Sequence, residues 1–265
     1  MTADLHSAVE AADAIAREAG VVLMDFFDSD RVDVRAKGPR DVVTAADIAS
    51  ESLMVRRLQE RFPEHAIVGE EGANFPGTTE YCWFIDPLDA TVNYSRSIPL
   101  WCVSLSLFQD TVPVVGVVYD PIRDESFSAV AHAGAFLNGV RICTSRAELV
   151  SQAVVQITVD FENESMRAGL DDIQKVAPQV YRTRNIGSAA LGLAYVAAGR
   201  LDGMLHRFAH TWDFGAGVLL IQEAGGKVTD MNGDEYSSGS TSILAGARAP
   251  LHARLHKLLL ADVEE

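Results

Sequence analysis

Apolar residues recur at Leu5, Val9, Ala12, Ile15, Ala16, Ala19 and Leu23, the spacing of one helix face, and predict an amphipathic helix from about Leu5 to Phe27. Val32-Asp33-Val34-Arg35 alternates like a short strand, and Lys37-Gly38-Pro39-Arg40-Asp41 is a loop by its breakers. Thr44 can cap a second helix running to about Phe62, with Asp47 as the acidic partner of a capping box and Ile48, Leu53, Val55 and Leu58 available for burial. Pro63 ends it. Ala66-Ile67-Val68 is a short buried strand entering Gly69-Glu70-Glu71-Gly72, where two glycines flank two acids and mark a bend that exposes carboxylates. An ordinary polar turn has the same composition.

The run Trp83-Phe84-Ile85 reads as a buried strand delivering Asp86 to a sheet edge, with Pro87 stopping the strand and fixing a turn. Further strands are predicted near Trp101–Phe108, Val112–Tyr119 and Glu125–Ala131. Asn138-Gly139 between Ala135-Phe136-Leu137 and Val140-Arg141-Ile142 is a strong hairpin signal. This first half, residues 1–146, reads as a meandering antiparallel sheet with helices against it. From Val154 the pattern alternates: strands at 154–159, 180–184, 201–205, 227–229 and 243–245, and helices near 164–177, 188–198, 212–224 and 250–260. Residues 147–265 therefore read as an α/β half beside an α+β half. No linker or internal repeat divides the two, so the 265 residues are expected to form one compact unit.

Composition narrows the partners. With 48% hydrophobic residues the chain can bury a sizeable core. A formal net charge of −15 argues against nucleic acid and anionic membrane as partners, and fits an enzyme whose acids hold divalent cations. Cys82, Cys102 and Cys143 lack metal-ligand spacing and read as small residues in a reducing compartment. Neither a signal peptide nor a membrane span is visible, and the expected location is the cytoplasm.

The candidate chemistry centres on Asp86-Pro87-Leu88-Asp89. A tight turn can bring both carboxylates to one point, where they repel unless a proton or cation lies between them. Hard oxygen donors alone point to Mg2+ or a relative. Ala90, Thr91 and Val92 can then open a short helix whose backbone N–H groups favour a phosphate. A solvated turn is the plainer reading of the same residues. Ile186-Gly187-Ser188-Ala189-Ala190 lies where a strand gives way to a helix, and its small residues permit either close approach of a ligand or tight helix packing. Asp213, in Trp212-Asp213-Phe214-Gly215-Ala216-Gly217, falls in the first turn of a helix, where capping is an ordinary role.

Taken together, Asp41-Val42-Val43-Thr44-Ala45-Ala46-Asp47, Gly69-Glu70-Glu71, Asp86-Pro87-Leu88-Asp89-Ala90-Thr91-Val92-Asn93 and Trp212-Asp213-Phe214-Gly215-Ala216-Gly217 through Gly225-Gly226 resemble, in order and spacing, the inositol monophosphatase family of Mg2+-dependent, lithium-sensitive phosphatases. The likeness covers almost the whole chain. It implies a layered αβαβα sandwich of the type shared with fructose-1,6-bisphosphatase, a homodimer, and hydrolysis of a small phosphorylated metabolite. By that resemblance Glu70, Asp86 and the Leu88 carbonyl hold a first metal ion. Asp86, Asp89 and Asp213 hold a second, and Glu70 contributes to a third. Thr91, hydrogen-bonded to Asp47, orients the attacking water, and the N–H groups of Ala90 and Thr91 bind phosphate.

Two departures from the family pattern affect specificity. Ala90 replaces a glycine, harmless at negative φ and strained at positive φ. His206 stands where inositol-hydrolysing members carry an acid that contacts substrate hydroxyls; with Arg207 beside it, a leaving group with an anionic or heteroaromatic part is favoured. Gly187, Ser188, Ala189 and His206 are the candidate substrate contacts, and Arg184 is a candidate for the substrate rim or a dimer contact. Fructose-1,6-bisphosphate, histidinol phosphate and nucleotide phosphates are alternative substrates, with Val92-Asn93 nearer the inositol and fructose-bisphosphate branches. A metal-gated regulatory or binding protein on the same scaffold is the non-enzymatic alternative.

Overall fold

The computed structural model describes residues 4–27, 34–38, 41–159, 163–208 and 210–261. Helix α1 (Leu5–Phe26) is followed by a hairpin of β1 (Val34–Gly38) and β2 (Asp41–Thr44), then α2 (Ala45–Arg61). Next come β3 (Ala66–Gly69), β4 (Asn74–Phe75), β5 (Tyr81–Asp89) and the short α3 (Thr91–Ser95). Strands β6 (Cys102–Gln109), β7 (Val112–Asp120), β8 (Glu125–Val130), β9 (Gly134–Leu137) and β10 (Val140–Arg141) complete an eight-stranded sheet in the order β10-β9-β8-β7-β6-β5-β3-β4. Then follow β11 (Val154–Thr158), α4 (Asn163–Val176), β12 (Arg182–Arg184), α5 (Ala189–Ala197), β13 (Gly203–His206), α6 (Thr211–Glu223), β14 (Lys227–Thr229), β15 (Ile243–Gly246) and α7 (Ala249–Leu260). Their strands form a five-stranded sheet in the order β12-β11-β13-β15-β14.

Each sheet face needs an apolar cover, and the burial pattern shows what supplies it. Ala8, Ala12, Ile15, Ala16, Ala19 and Leu23 of α1 join Met54 and Leu58 of α2 and Trp83 and Ile85 of β5 in one core. On the other face of the eight-stranded sheet, Phe108, Phe127, Phe214, Leu193 and Met204 belong to a second core, filled by α5 and α6. Val155, Ile157, Leu251 and Leu255 form a third, beneath α7. The order is helices, sheet, helices, sheet, helices: the expected αβαβα sandwich. Helix α6 lies close on β6 because Gly215 has no side chain; a Cβ there would stand 2.5 Å from Ser106 Oγ. Among the described residues no helix is long and apolar enough to cross a membrane.

Three local expectations are corrected. Lys37, Gly38 and Asp41 belong to paired strands rather than a loop, while Val32, Asp33, Pro39 and Arg40 lie outside the described residues. Ile48 is exposed, and the buried face of α2 runs instead through Asp47, Ser50, Glu51, Met54, Val55 and Leu58. Pro87 does not end its strand. Strand β5 continues to Asp89, pairing Asp86 with Ser104 and Asp89 with Cys102, three steps on one strand against two on the other. That one-residue bulge accommodates the proline, which has no N–H to give the ladder.

Candidate active site

The bulge decides which way the two central acids face. In a regular strand residues three apart point to opposite sides; one extra residue restores Asp89 to the side of Asp86. Both are buried, at 1% and 8% exposure. Loss of water pushes the Asp86 carboxyl well above its ordinary range, and the charges of Glu70, Asp89 and Asp213 push it further, with a hydrogen bond to Glu70 adding to the shift. Three of the acids named from sequence thus act on the fourth, Asp86, although the set comes from the β3–β4 turn, the β5 bulge and the first turn of α6.

The three aspartates are also tied to the backbone. Asp86 Oδ1 accepts from Leu88 N at 2.9 Å. Asp213 Oδ2 accepts from His210 N at 2.6 Å, which fixes the first turn of α6, and Ser104 Oγ donates to Trp212 O at 3.2 Å, pinning that turn against β6. Asp89 takes the Ser188 hydroxyl and the N–H groups of Ala190 (2.7 Å) and Ala189 (3.3 Å). Burial raises the Asp89 carboxyl, and these donors together with the nearby charge of His206 pull it back. Among the described residues no three histidine, cysteine, aspartate or glutamate side chains already stand as a coordination shell.

On the α2 side, Thr91 Oγ1 lies 3.1 Å from Asp47 Oδ1 and 3.2 Å from the Leu88 carbonyl. Asp47 is fully buried, accepts from Thr44 N at 2.9 Å and from the Thr44 hydroxyl, and so closes the expected capping box. Burial raises its carboxyl; the Thr44 and Thr91 hydrogen bonds oppose that. Capping and the contact to Thr91 use different oxygens of the same side chain, so the two readings of Asp47 are compatible.

Ala90 opens α3 in the left-handed region, at φ 78°. An L side chain pays about 1–3 kcal/mol there. Ala90→Gly is therefore expected to stabilise the chain by roughly 0.5–1 kcal/mol after glycine's greater unfolded-state entropy is subtracted, a melting rise of a few degrees. A lower melting temperature in that variant would contradict the strain.

The substrate-facing candidates are placed differently from expectation. Gly187, at φ +79°, makes its close approach to Asn93, whose Nδ2 would lie 2.8 Å from a Cβ at that position. Ser188 is buried and, with Ala189, turned to Asp89 rather than outward. His206 is only 6% exposed and edge-on to Phe214 at 5.4 Å, buried rather than on an open rim, and its charge lowers the Asp89 carboxyl. The Arg207 guanidinium forms two bonds to Asp172, at 2.6 and 2.7 Å, which commits it to α4. Arg184 is exposed and donates to its neighbour's carbonyl, Thr183 O, at 2.8 Å.

Three side chains support the site in ways the sequence reading does not assign, Asn93 being named there only as a motif residue. Asn93 Nδ2 donates to Leu100 O (2.7 Å) and Ile186 O (2.8 Å), joining the end of the acidic motif to the segment before α5. Ser50 donates to Pro87 O at 3.2 Å. Glu51 accepts from Glu71 N and Ala73 N. Their signal was available: Ser50 and Glu51 are polar positions within the helical stripe that includes Met54, Val55 and Leu58. Cys102 adds a long contact to Asp89 at 3.7 Å, and burial beside that acid raises its thiol well above the usual range, unlike a nucleophile.

The model of the inositol monophosphatase family matches residues 4–265. The chain belongs to the inositol monophosphatase family. Similar members include "Nus factor SuhB" of Salmonella typhimurium, 35% identical over 98% of this chain and 97% of that protein. "Inositol monophosphatase 2" of Solanum lycopersicum is 38% identical over 89% of this chain and 92% of its own length. The crystal structure of the extragenic suppressor protein suhB from Bartonella henselae superposes with a TM-score of 0.93, at 32% identity, covering 97% of this chain and all of that one.

Proposed function

We propose that this inositol monophosphatase family member hydrolyses small phosphate monoesters using two or three Mg2+ ions. The reading rests on the crowding of Glu70, Asp89 and Asp213 about a buried Asp86. An acid buried among three others is relieved by a proton or by a cation, and an all-oxygen donor set suits Mg2+. Glu70, Asp86, the Leu88 carbonyl, Asp89 and Asp213 would hold the ions. Once bound, they supply an activated water and positive charge against the transferring phosphoryl group.

The chain's own residues do the rest. Thr91, fixed by Asp47, orients the attacking water and takes up its proton through the Thr91–Asp47 pair. The N–H groups of Ala90 and Thr91 hold phosphate oxygens. The net charge of −15 does not favour direct contact with nucleic acid. We further propose a cytoplasmic homodimer, to be checked by light scattering.

Phosphate release from a panel of cyclitol, sugar and nucleoside phosphates, with and without Mg2+, tests the activity. Silence across the panel would favour the second reading, a metal-gated regulatory or binding protein, which the name "Nus factor SuhB" of similar members supports. His206→Glu addresses specificity and is expected to move preference toward inositol monophosphate. Because a carboxylate there sits beside Asp89, ratios of kcat/KM within each variant are the readout. An unchanged substrate ranking would remove His206 from specificity.

A further inference from the structure

Helix α2 presents three polar side chains on its buried face, and each reaches a different segment of the site. Asp47 receives the Thr91 hydroxyl, Ser50 donates to the Pro87 carbonyl, and Glu51 takes two backbone N–H groups, Glu71 N at 2.8 Å on Oε2 and Ala73 N at 3.0 Å on Oε1. Glu51 is 7% exposed. Gly69 presses against it so closely that a Cβ there would lie 2.3 Å from Oε2. The turn is closed elsewhere by Gly69 N to Ala73 O (2.8 Å) and Glu70 N to Ile85 O (3.2 Å). Glu70 therefore stands between two residues that both meet the Glu51 carboxylate.

We infer that Glu51 is a positioning residue for Glu70: its buried carboxylate fixes the Gly69–Ala73 turn and thereby aims Glu70 at the cation site. This rests on Glu70 being a metal ligand, as proposed above. A buried carboxylate suits the task because both donors are N–H groups and both of its oxygens accept. Glutamine would keep the shape but turn an NH2 group against one of the two N–H donors. The turn would lose one bond and gain a repulsive contact, while the rest of α2 stays packed. Residues that orient a ligand without touching the metal characteristically change affinity by about 10–100-fold when replaced.

The test is Mn2+ binding to the purified full-length chain, free of substrate, followed by electron paramagnetic resonance and isothermal titration, beside the melting temperature of the metal-free protein. Glu51→Gln is expected to bind Mn2+ about 10-fold more weakly than wild type, and Glu51→Asp, which keeps both acceptors, to recover part of that loss. Folded Glu51→Gln with wild-type Mn2+ affinity would overturn the inference. Should Glu51→Gln not fold, Gly69→Ala displaces the same carboxylate and is held to the same criterion. Loss of fold in both would make Glu51 a structural residue and would equally overturn it. Wild-type protein that binds no Mn2+ would instead remove the metal reading of the site itself.

Discussion

Asp86→Asn is expected to lower phosphate release from every active substrate by roughly 10³-fold or more, because the lost carboxylate is the one shared between two proposed cation positions. The same change is expected to raise the stability of the metal-free protein. In the folded chain Asp86 is buried among Glu70, Asp89 and Asp213, and its carboxyl lies well above the usual range. The folded state therefore binds its proton more tightly than the unfolded state does. Stability from this group is fully present below the unfolded value of about 3.9 and is lost as pH rises through the raised folded value. Asparagine carries no charge and escapes that loss. Melting in a chelator at several pH values should show the variant above wild type near neutrality, with the gap closing toward pH 4. Adding Mg2+ should reverse the order by stabilising wild type alone. Wild-type turnover in Asp86→Asn would refute the assignment of this acid.

Thr91→Ala is expected to lower kcat by about 10²–10³-fold while leaving Mn2+ affinity near wild type, the outcome that the proposed role in proton transfer requires. Asp47→Asn should cost a similar factor, since its Oδ1 is the partner of the Thr91 hydroxyl at 3.1 Å. If the two act as one unit, the double variant is no slower than the worse single one. Multiplying losses in steady-state kinetics would show that they act separately, and an unchanged kcat in Thr91→Ala would exclude it from the chemistry.

Much of this arrangement could be read directly from the chain. Helical spacing placed α1 to within one residue, Asn138-Gly139 marked a hairpin that formed, with positive φ at both residues, and Thr44 with Asp47 announced a capping box. These are local signals. What escaped depends on partners distant in sequence. Pro87 reads as a terminator because a proline withdraws one donor, yet β6 accommodates it through a bulge that only the pairing reveals. The small residues at 187–189 read as room for a ligand or for tight helix packing, and what comes close is Asn93 and Asp89 of this same chain. Likewise Arg207, free-looking in sequence, meets Asp172 thirty-five residues earlier.

The bonds from Asp89 to the start of α5 have a kinetic corollary. Asp89 belongs to the eight-stranded sheet, whereas α5 is also packed on the five-stranded one. A hinge that opened the two sheets during turnover would strip a buried carboxylate of a hydroxyl and two amide donors on every cycle. For the proposed hydrolysis, admission of reactant and escape of product would therefore fall to the surface loops, with the frame beneath kept shut by those bonds.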